Sequence, residues 1–129
     1  MKTISTFSKL ILISVSVILS ATFSSCHKEG IGGKSSVSGL VKHHSAPIPN
    51  CVVYIKYGTT SFPGTNVANY DEHVTADGNA HYQIKDLRRG DYYLYGVGYD
   101  ASIMGTVSGG IAVTLKYNQE FDSDVPVTE

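Results

Sequence analysis

Tryptophan is absent from this chain, and cysteine is nearly so: two stand among 129 residues. Two cysteines cannot build the disulfide framework that staples small secreted domains. Charge is also sparse, at 16% of residues, and no run of Lys and Arg is long enough to track a phosphate backbone. That pattern excludes nucleic acid as an expected partner. No Gly-x-Ser-x-Gly nucleophile elbow occurs. No His, Cys, Asp and Glu recur at metal-ligand spacing, so no catalytic residue, metal or cofactor is expected. Beyond residue 26 no apolar positions repeat with a sustained 3.6-residue period, which argues against a helical domain. The apolar run from Leu10 to Leu19 falls short of the roughly 20 residues that a membrane-spanning helix requires.

That run is nevertheless informative. Lys2 and Lys9 precede it, and Phe23-Ser24-Ser25-Cys26 follows it. A basic start, an apolar middle and a small-residue cleavage site form a secretory signal. With Cys directly after the small residues, the segment resembles the lipobox of bacterial lipoproteins, although Phe23 stands where Leu is commoner. The resemblance implies a signal peptide at 1–25 and acylation of the Cys26 thiol by fatty chains such as palmitate. Two or three such chains hold a protein on a membrane stably, whereas one does so only marginally. Lys28-Glu29, just after Cys26, resembles the Lys-acidic export tag of surface lipoproteins in Bacteroides-like bacteria. The implied location is the cell envelope, lipid-anchored at the outer membrane and either surface-exposed or facing the periplasm. Without residues 1–25 the chain carries eight Lys and Arg against eleven Asp and Glu, a net charge of −3.

Residues 26–36 are rich in Gly and Ser and read as the lipidated Cys followed by a flexible tether. Gly33-Lys34-Ser35 is not a phosphate-binding loop, because Lys28 stands where that motif's first Gly belongs. Residues 37–129 read as one domain of short strands between turn signals. Expected strands are Val37 to His43, Cys51 to Tyr57, Tyr70 to Ala76, Ala80 to Lys85 and Tyr92 to Tyr99. Ile103 to Val107, Ile111 to Tyr117 and Phe121 to Val127 complete the set. Asp77-Gly78 and Gly109-Gly110 supply turns. The fold class expected is all-β: a single antiparallel β-sandwich of seven to eight strands.

Val37-Ser38-Gly39-Leu40-Val41, Ala46 to Val53, Thr75-Ala76-Asp77-Gly78, Leu87-x-x-Gly90-x-Tyr92 and Gly98-Tyr99 together resemble carboxypeptidase-regulatory-like domains. The resemblance covers nearly all of residues 37–127. It implies a transthyretin-like or prealbumin-like sandwich serving as a non-catalytic accessory module. Hydroxyisourate hydrolases share that fold, but their closing Tyr-Arg-Gly-Ser is replaced here by Val125 to Glu129, so their activity is not expected.

Alternation along Tyr92 to Tyr99 assigns two faces to one strand. Tyr92, Leu94, Gly96 and Gly98 face the core. The Tyr92 hydroxyl is expected to bond back to the turn backbone in a tyrosine corner. Tyr93, Tyr95, Val97 and Tyr99 face outward, where they either form an exposed aromatic patch or lie under the 58–69 loop and its Phe62. Aromatic patches mark interaction sites, so Tyr93, Tyr95, Tyr99 and Phe62 are the candidate binding residues. Cys51 reads as a buried strand residue, and His43, His44 and His81 as solvated side chains rather than ligands. The expected function is a lipid-anchored envelope protein whose sandwich binds or assembles with a polysaccharide or an outer-membrane protein complex. A structural spacer without ligand is the competing reading, with a small hydrolase or metal-binding protein behind it.

Overall fold

The computed structural model describes residues 28–129; the expected signal peptide and Cys26 lie outside the described residues. The elements are β1 (Ile31–His43), β2 (Ala46–Pro47), β3 (Val52–Tyr57), β4 (Glu72–Thr75) and β5 (His81–Leu87), then β6 (Gly90–Asp100), β7 (Gly105–Leu115), β8 (Glu120–Asp122) and β9 (Val125–Val127). A 3-10 turn, Val67–Asn69, lies in the β3–β4 connection. Sheet I centres on β1, with β5 and β2 on one edge and β8 and β9 on the other. Sheet II runs β4-β3-β6-β7 with every pair antiparallel. The two sheets pack face to face as a β-sandwich.

Period-two burial builds the core. Val37 and Val41 from β1, Tyr82, Ile84 and Leu87 from β5, and Val53, Ile55, Leu94 and Val113 from sheet II are all buried. Val125 and Val127 of β9 fill the space over Gly96, where an added Cβ would stand 3.1 Å from Val125. Mutual backbone hydrogen bonds between Ser108 and Thr128, of 2.8 and 2.9 Å, tie the end of β9 to β7 and close that side of the sandwich.

Five expectations need correction. Residues 31–36 are not tether but the first half of β1. Ile31 and Ser35 pair with Leu87 across a bulge, and Ser35 is buried with its hydroxyl accepting from Gln119 N at 3.1 Å. Backbone pairing holds this stretch, so it needs no apolar periodicity. Residues 105–115 form one strand rather than two. Gly109 and Gly110 lie mid-strand because Pro126 O and Leu94 O leave no room for a Cβ there. Phe121 to Val127 is two strands, because Ser123 N bonds Ser38 O (2.8 Å) and Asp124 Oδ1 accepts from Leu40 N (2.9 Å) between them. Both β8 and β9 run parallel to β1, so sheet I is mixed. The short β2 was expected as turn; Pro47 is tolerated there because it stands on a sheet edge.

Candidate aromatic binding face

Register places the aromatics of sheet II in a block. Tyr95 of β6 lies opposite Tyr54 of β3 on one side and Gly110 of β7 on the other, and Tyr54 lies opposite His73 of β4. Tyr93, two residues earlier on the same face, pairs with Lys56 and Ala112. Beta strands put such directly opposed side chains in contact. The small residues of β7 leave floor space that the tyrosine rings occupy: a Cβ on Gly110 would stand 2.6 Å from the Tyr93 ring.

The β3–β4 loop folds back over this block. Phe62 sits between Tyr93 and Tyr95, with ring centroids 5.7 and 5.5 Å away. Tyr70 stacks on Tyr95 at 5.5 Å with an interplanar angle of 15° and contacts Tyr54 at 5.8 Å. Tyr54 and His73 complete the row at 5.6 Å. Offset and tilted ring pairs at these separations are favourable beyond their buried area.

Local hydrogen bonds set the loop's path. Gly58 N donates to Asp91 O (2.8 Å) where the loop leaves β3. Asp71 pins its return: Asp71 N donates to Ile55 O (2.9 Å), and its carboxylate accepts from Tyr57 N (2.8 Å) with Lys56 Nζ 3.5 Å away. Asn66 caps the 3-10 turn by accepting from Ala68 N. The Tyr70 hydroxyl donates to Gly64 O at 2.8 Å. Burial, followed by the neighbouring Tyr95 and Tyr93, pushes the Tyr70 hydroxyl up to about 12, so it stays a proton donor at neutral pH. Tyr93 is pushed up by burial as well.

The outcome for each aromatic differs. Tyr95 is 3% exposed, roofed by Phe62 and Tyr70, while Tyr93 is half-buried. Phe62 is 52% exposed and forms the crest of the cluster. Tyr99 is exposed but stands at the far end of β6 opposite Thr106, apart from the others. Of the four expected binding residues, three therefore come together and Tyr99 does not. Sequence reading passed over Tyr54, Tyr70 and His73. The signal for Tyr54 was present, since burial of Val53 and Ile55 obliges Tyr54 to face outward. Only the loop's path brings Tyr70.

The chain's similarity to known proteins is confined to its fold. No protein-family profile matches the sequence, and no curated protein matches it. Among solved structures, it is similar to a candidate carbohydrate-binding protein from Pseudomonas aeruginosa. The TM-score is 0.50 at 15% identity, over 75% of this chain and 90% of that one. Such a likeness concerns the sandwich itself.

A second polar group lies inside the sandwich, away from the aromatic face. His43 was expected to be solvated; it is 6% exposed, because it occupies the inward phase of β1 after Val37, Gly39 and Val41. Its Nδ1 lies 2.7 Å from Asp100 Oδ2, joining the two sheets across the end of the core. Asp100 Oδ1 accepts from Ser102 N (2.8 Å) and from the Ser102 hydroxyl (2.6 Å). Those bonds, with His43 adding to them, hold the Asp100 carboxyl at about 2. His43 Nε2 is buried without a hydrogen-bond partner among the described residues. Among the described residues, no hydroxyl or thiol stands where a nucleophile activated by this pair belongs. Its geometry is that of a clamp between sheets.

The tyrosine corner forms as expected. Tyr92 is fully buried, its hydroxyl donating to Arg88 O (2.6 Å) and accepting from Gly30 N (2.9 Å). Gly90 permits the turn with φ of 139°. Cys51 is fully buried and donates weakly to Ile48 O at 3.2 Å; burial pushes its thiol up to about 11. Among the described residues no three His, Cys, Asp or Glu side chains group as a metal site.

Proposed function

We propose that this chain is a lipid-anchored cell-envelope protein whose sandwich is a non-catalytic module, binding carbohydrate through the Phe62–Tyr93 face. The observation that carries the binding part is the exposure of Phe62. A large apolar ring is held half in water by a loop that hydrogen bonds and ring contacts have already ordered. Pre-ordering lowers the entropy cost of binding. Lys56 opposite Tyr93 and His73 against Tyr54 lie on the same face, and Thr59, Ser61 and Asn66 belong to the same loop as Phe62, so polar groups accompany the apolar surface. That mixture suits a sugar ring, which has an apolar face and a hydroxylated rim. The fold likeness to a candidate carbohydrate-binding protein agrees with this class of partner. The lipid anchor rests on the order of residues 2–26, with Cys26 as its acylated residue and the outer membrane as its location.

The competing reading is a spacer without ligand. It draws on the roofing of Tyr95, which leaves less aromatic surface free than the sequence alone implies. A glycan array probed with the purified chain, together with cross-linking pull-down from intact cells, separates the two. Binding to a defined glycan set is expected. Silence in both assays, with the chain displayed at normal levels, supports the spacer.

A further inference from the structure

The end of the sandwich at which the described chain begins has features that its opposite end lacks. Lys28 O accepts from Arg88 Nη1 (3.2 Å), and Gly30 is gripped on both sides: its N–H donates to the Tyr92 hydroxyl (2.9 Å), and its carbonyl accepts from Arg88 N (2.8 Å). Glu29 packs over Gly90, where any Cβ would strike its side chain, and accepts from Asp91 N at 3.5 Å. The strand β1 then continues directly from Ile31. No slack is left between Lys28 and the fold.

Only His27 separates Lys28 from Cys26 in sequence. Two residues span at most ~7 Å even when fully extended. An acyl group on Cys26 thus brings this pole within roughly a residue's length of the lipid headgroups. Ile31 and Tyr117 project there, 51% and 69% exposed. Lys28 just before β1, Lys34 in β1, Arg88 and Arg89 in the β5–β6 turn and Lys116 just after β7 lie at the same end of the sandwich. Acidic Glu29 and Asp91 at the same pole are engaged by the Asp91 N–H and the Thr114 hydroxyl respectively. Asp86 and Glu120 are exposed nearby, and with Lys56, Asp71 and Glu72, where β3 ends and β4 begins, they leave the pole close to charge balance. The opposite pole, residues 43–51, 75–81 and 99–106, has no Lys or Arg. Tyrosine at the headgroup level and cations beside anionic lipid are both favourable placements.

We infer that the pole bearing Ile31 and Tyr117 lies directly against the lipid surface, so that the sandwich stands upright on its anchor. This rests on the proposed acylation of Cys26. It deepens that reading, because the domain is then not a freely tumbling module on a leash. The eleven residues of β6 carry the far hairpin, with Tyr99 and Met104, about 35 Å from the headgroups at ~3.3 Å per residue. The aromatic face, on the side of the upright sandwich, is held facing along the membrane surface rather than into it.

The test uses the full chain made in a bacterial host and reconstituted in phosphatidylethanolamine–phosphatidylglycerol vesicles. Tyr117→Cys and Met104→Cys variants, at exposed sites, each carry an environment-sensitive thiol label. The buried Cys51, its thiol pushed up to about 11, resists labelling. Lipids bearing a nitroxide headgroup are expected to remove most of the fluorescence at 117 and little of it at 104. A label on Ile31→Cys repeats the near-membrane reading. Intact mass is measured on the same samples. Acyl mass on Cys26 with equal quenching at 117 and 104 overturns the upright placement and leaves the anchor standing. Absence of acyl mass overturns the anchor and the placement together.

Discussion

The outer face of sheet I carries His81, Gln83 and Lys85 beside Ser36, Ser38 and Lys42, whereas sheet II turns Tyr54, Tyr93 and Tyr95 outward. Both faces alternate against the same core, and both strands at their centres are long. Sheet I meets water in the ordinary way, with polar side chains and a Lys42–Asp124 ion pair at 2.7 Å. Sheet II meets a loop. A face built of rings needs a cover, and the cover supplied by Phe62 and Tyr70 is partial. The contrast teaches that sheet II buries most of its outward aromatics under its own loop and leaves Phe62 as the exposed ring, to which the proposed carbohydrate contact assigns a use.

The largest expected effect separates the two faces by stability. Tyr95→Ala removes the ring on which Phe62 and Tyr70 rest and should cost about 3 kcal/mol, in the range of large-to-small changes at buried aromatics. Gln83→Ala, the corresponding outward change on sheet I, should stay within about 0.5 kcal/mol. Urea denaturation of the two variants measures this. Equal losses would erase the distinction between the faces.

A step smaller is Tyr92→Phe, which keeps the buried ring but strands Gly30 N and Arg88 O. Leaving such groups without a partner costs about 1–2 kcal/mol. Amide exchange should quicken at Gly30 and Ile31 more than in the centre of β6, because the chain's entry is released there. A uniform change across the domain would show that the corner does not specifically hold that entry.

A third effect is confined to acid. Asp100 is held at about 2, below its ordinary value of 3.8, chiefly by the Ser102 hydroxyl and then by His43. A carboxyl depressed in the folded state contributes stability that is present above the unfolded value and is lost as pH falls through the folded one. Melting temperature should therefore decline between about pH 4 and pH 2 through this group, and Ser102→Ala should flatten that decline. An unchanged slope in the variant would remove Ser102 as the main cause. The smallest effect belongs to sheet I. Lys42→Met breaks an ion pair between a half-buried Lys42 and an exposed Asp124 at the sheet surface, and it should cost no more than about 0.5 kcal/mol. Added salt should have a similarly slight influence on the wild type.

Much of this fold is legible in the sequence because alternation is a local signal. Val53 and Ile55 predict the inward face of β3, and Tyr92 and Leu94 that of β6, without reference to any partner strand. The tyrosine corner at Gly90-x-Tyr92 was readable for the same reason. Non-local effects were hidden. Residues 31–36 look like linker because their order comes from Leu87, Lys116 and Gln119, far along the chain. Gly109 and Gly110 read as a break, although packing against Pro126 and Leu94 is what demands them. The candidate site divides in the same way. Tyr93 and Tyr95 follow from alternation, and Phe62 from its loop. Tyr70 and the separation of Tyr99 depend on where the loop lands and on how far β6 extends.

The central claim is that the loop-crested face of sheet II is a carbohydrate-binding surface. Its most direct measurement is the glycan-array signal of the wild-type chain beside that of the double variant Phe62→Ala, Tyr93→Ser, with Gln83→Ala as the opposite-face control. Thermal melts confirm that each is folded. The account predicts defined glycan binding by the wild type and by Gln83→Ala, and its loss in the folded double variant. Undiminished binding by that variant would contradict it.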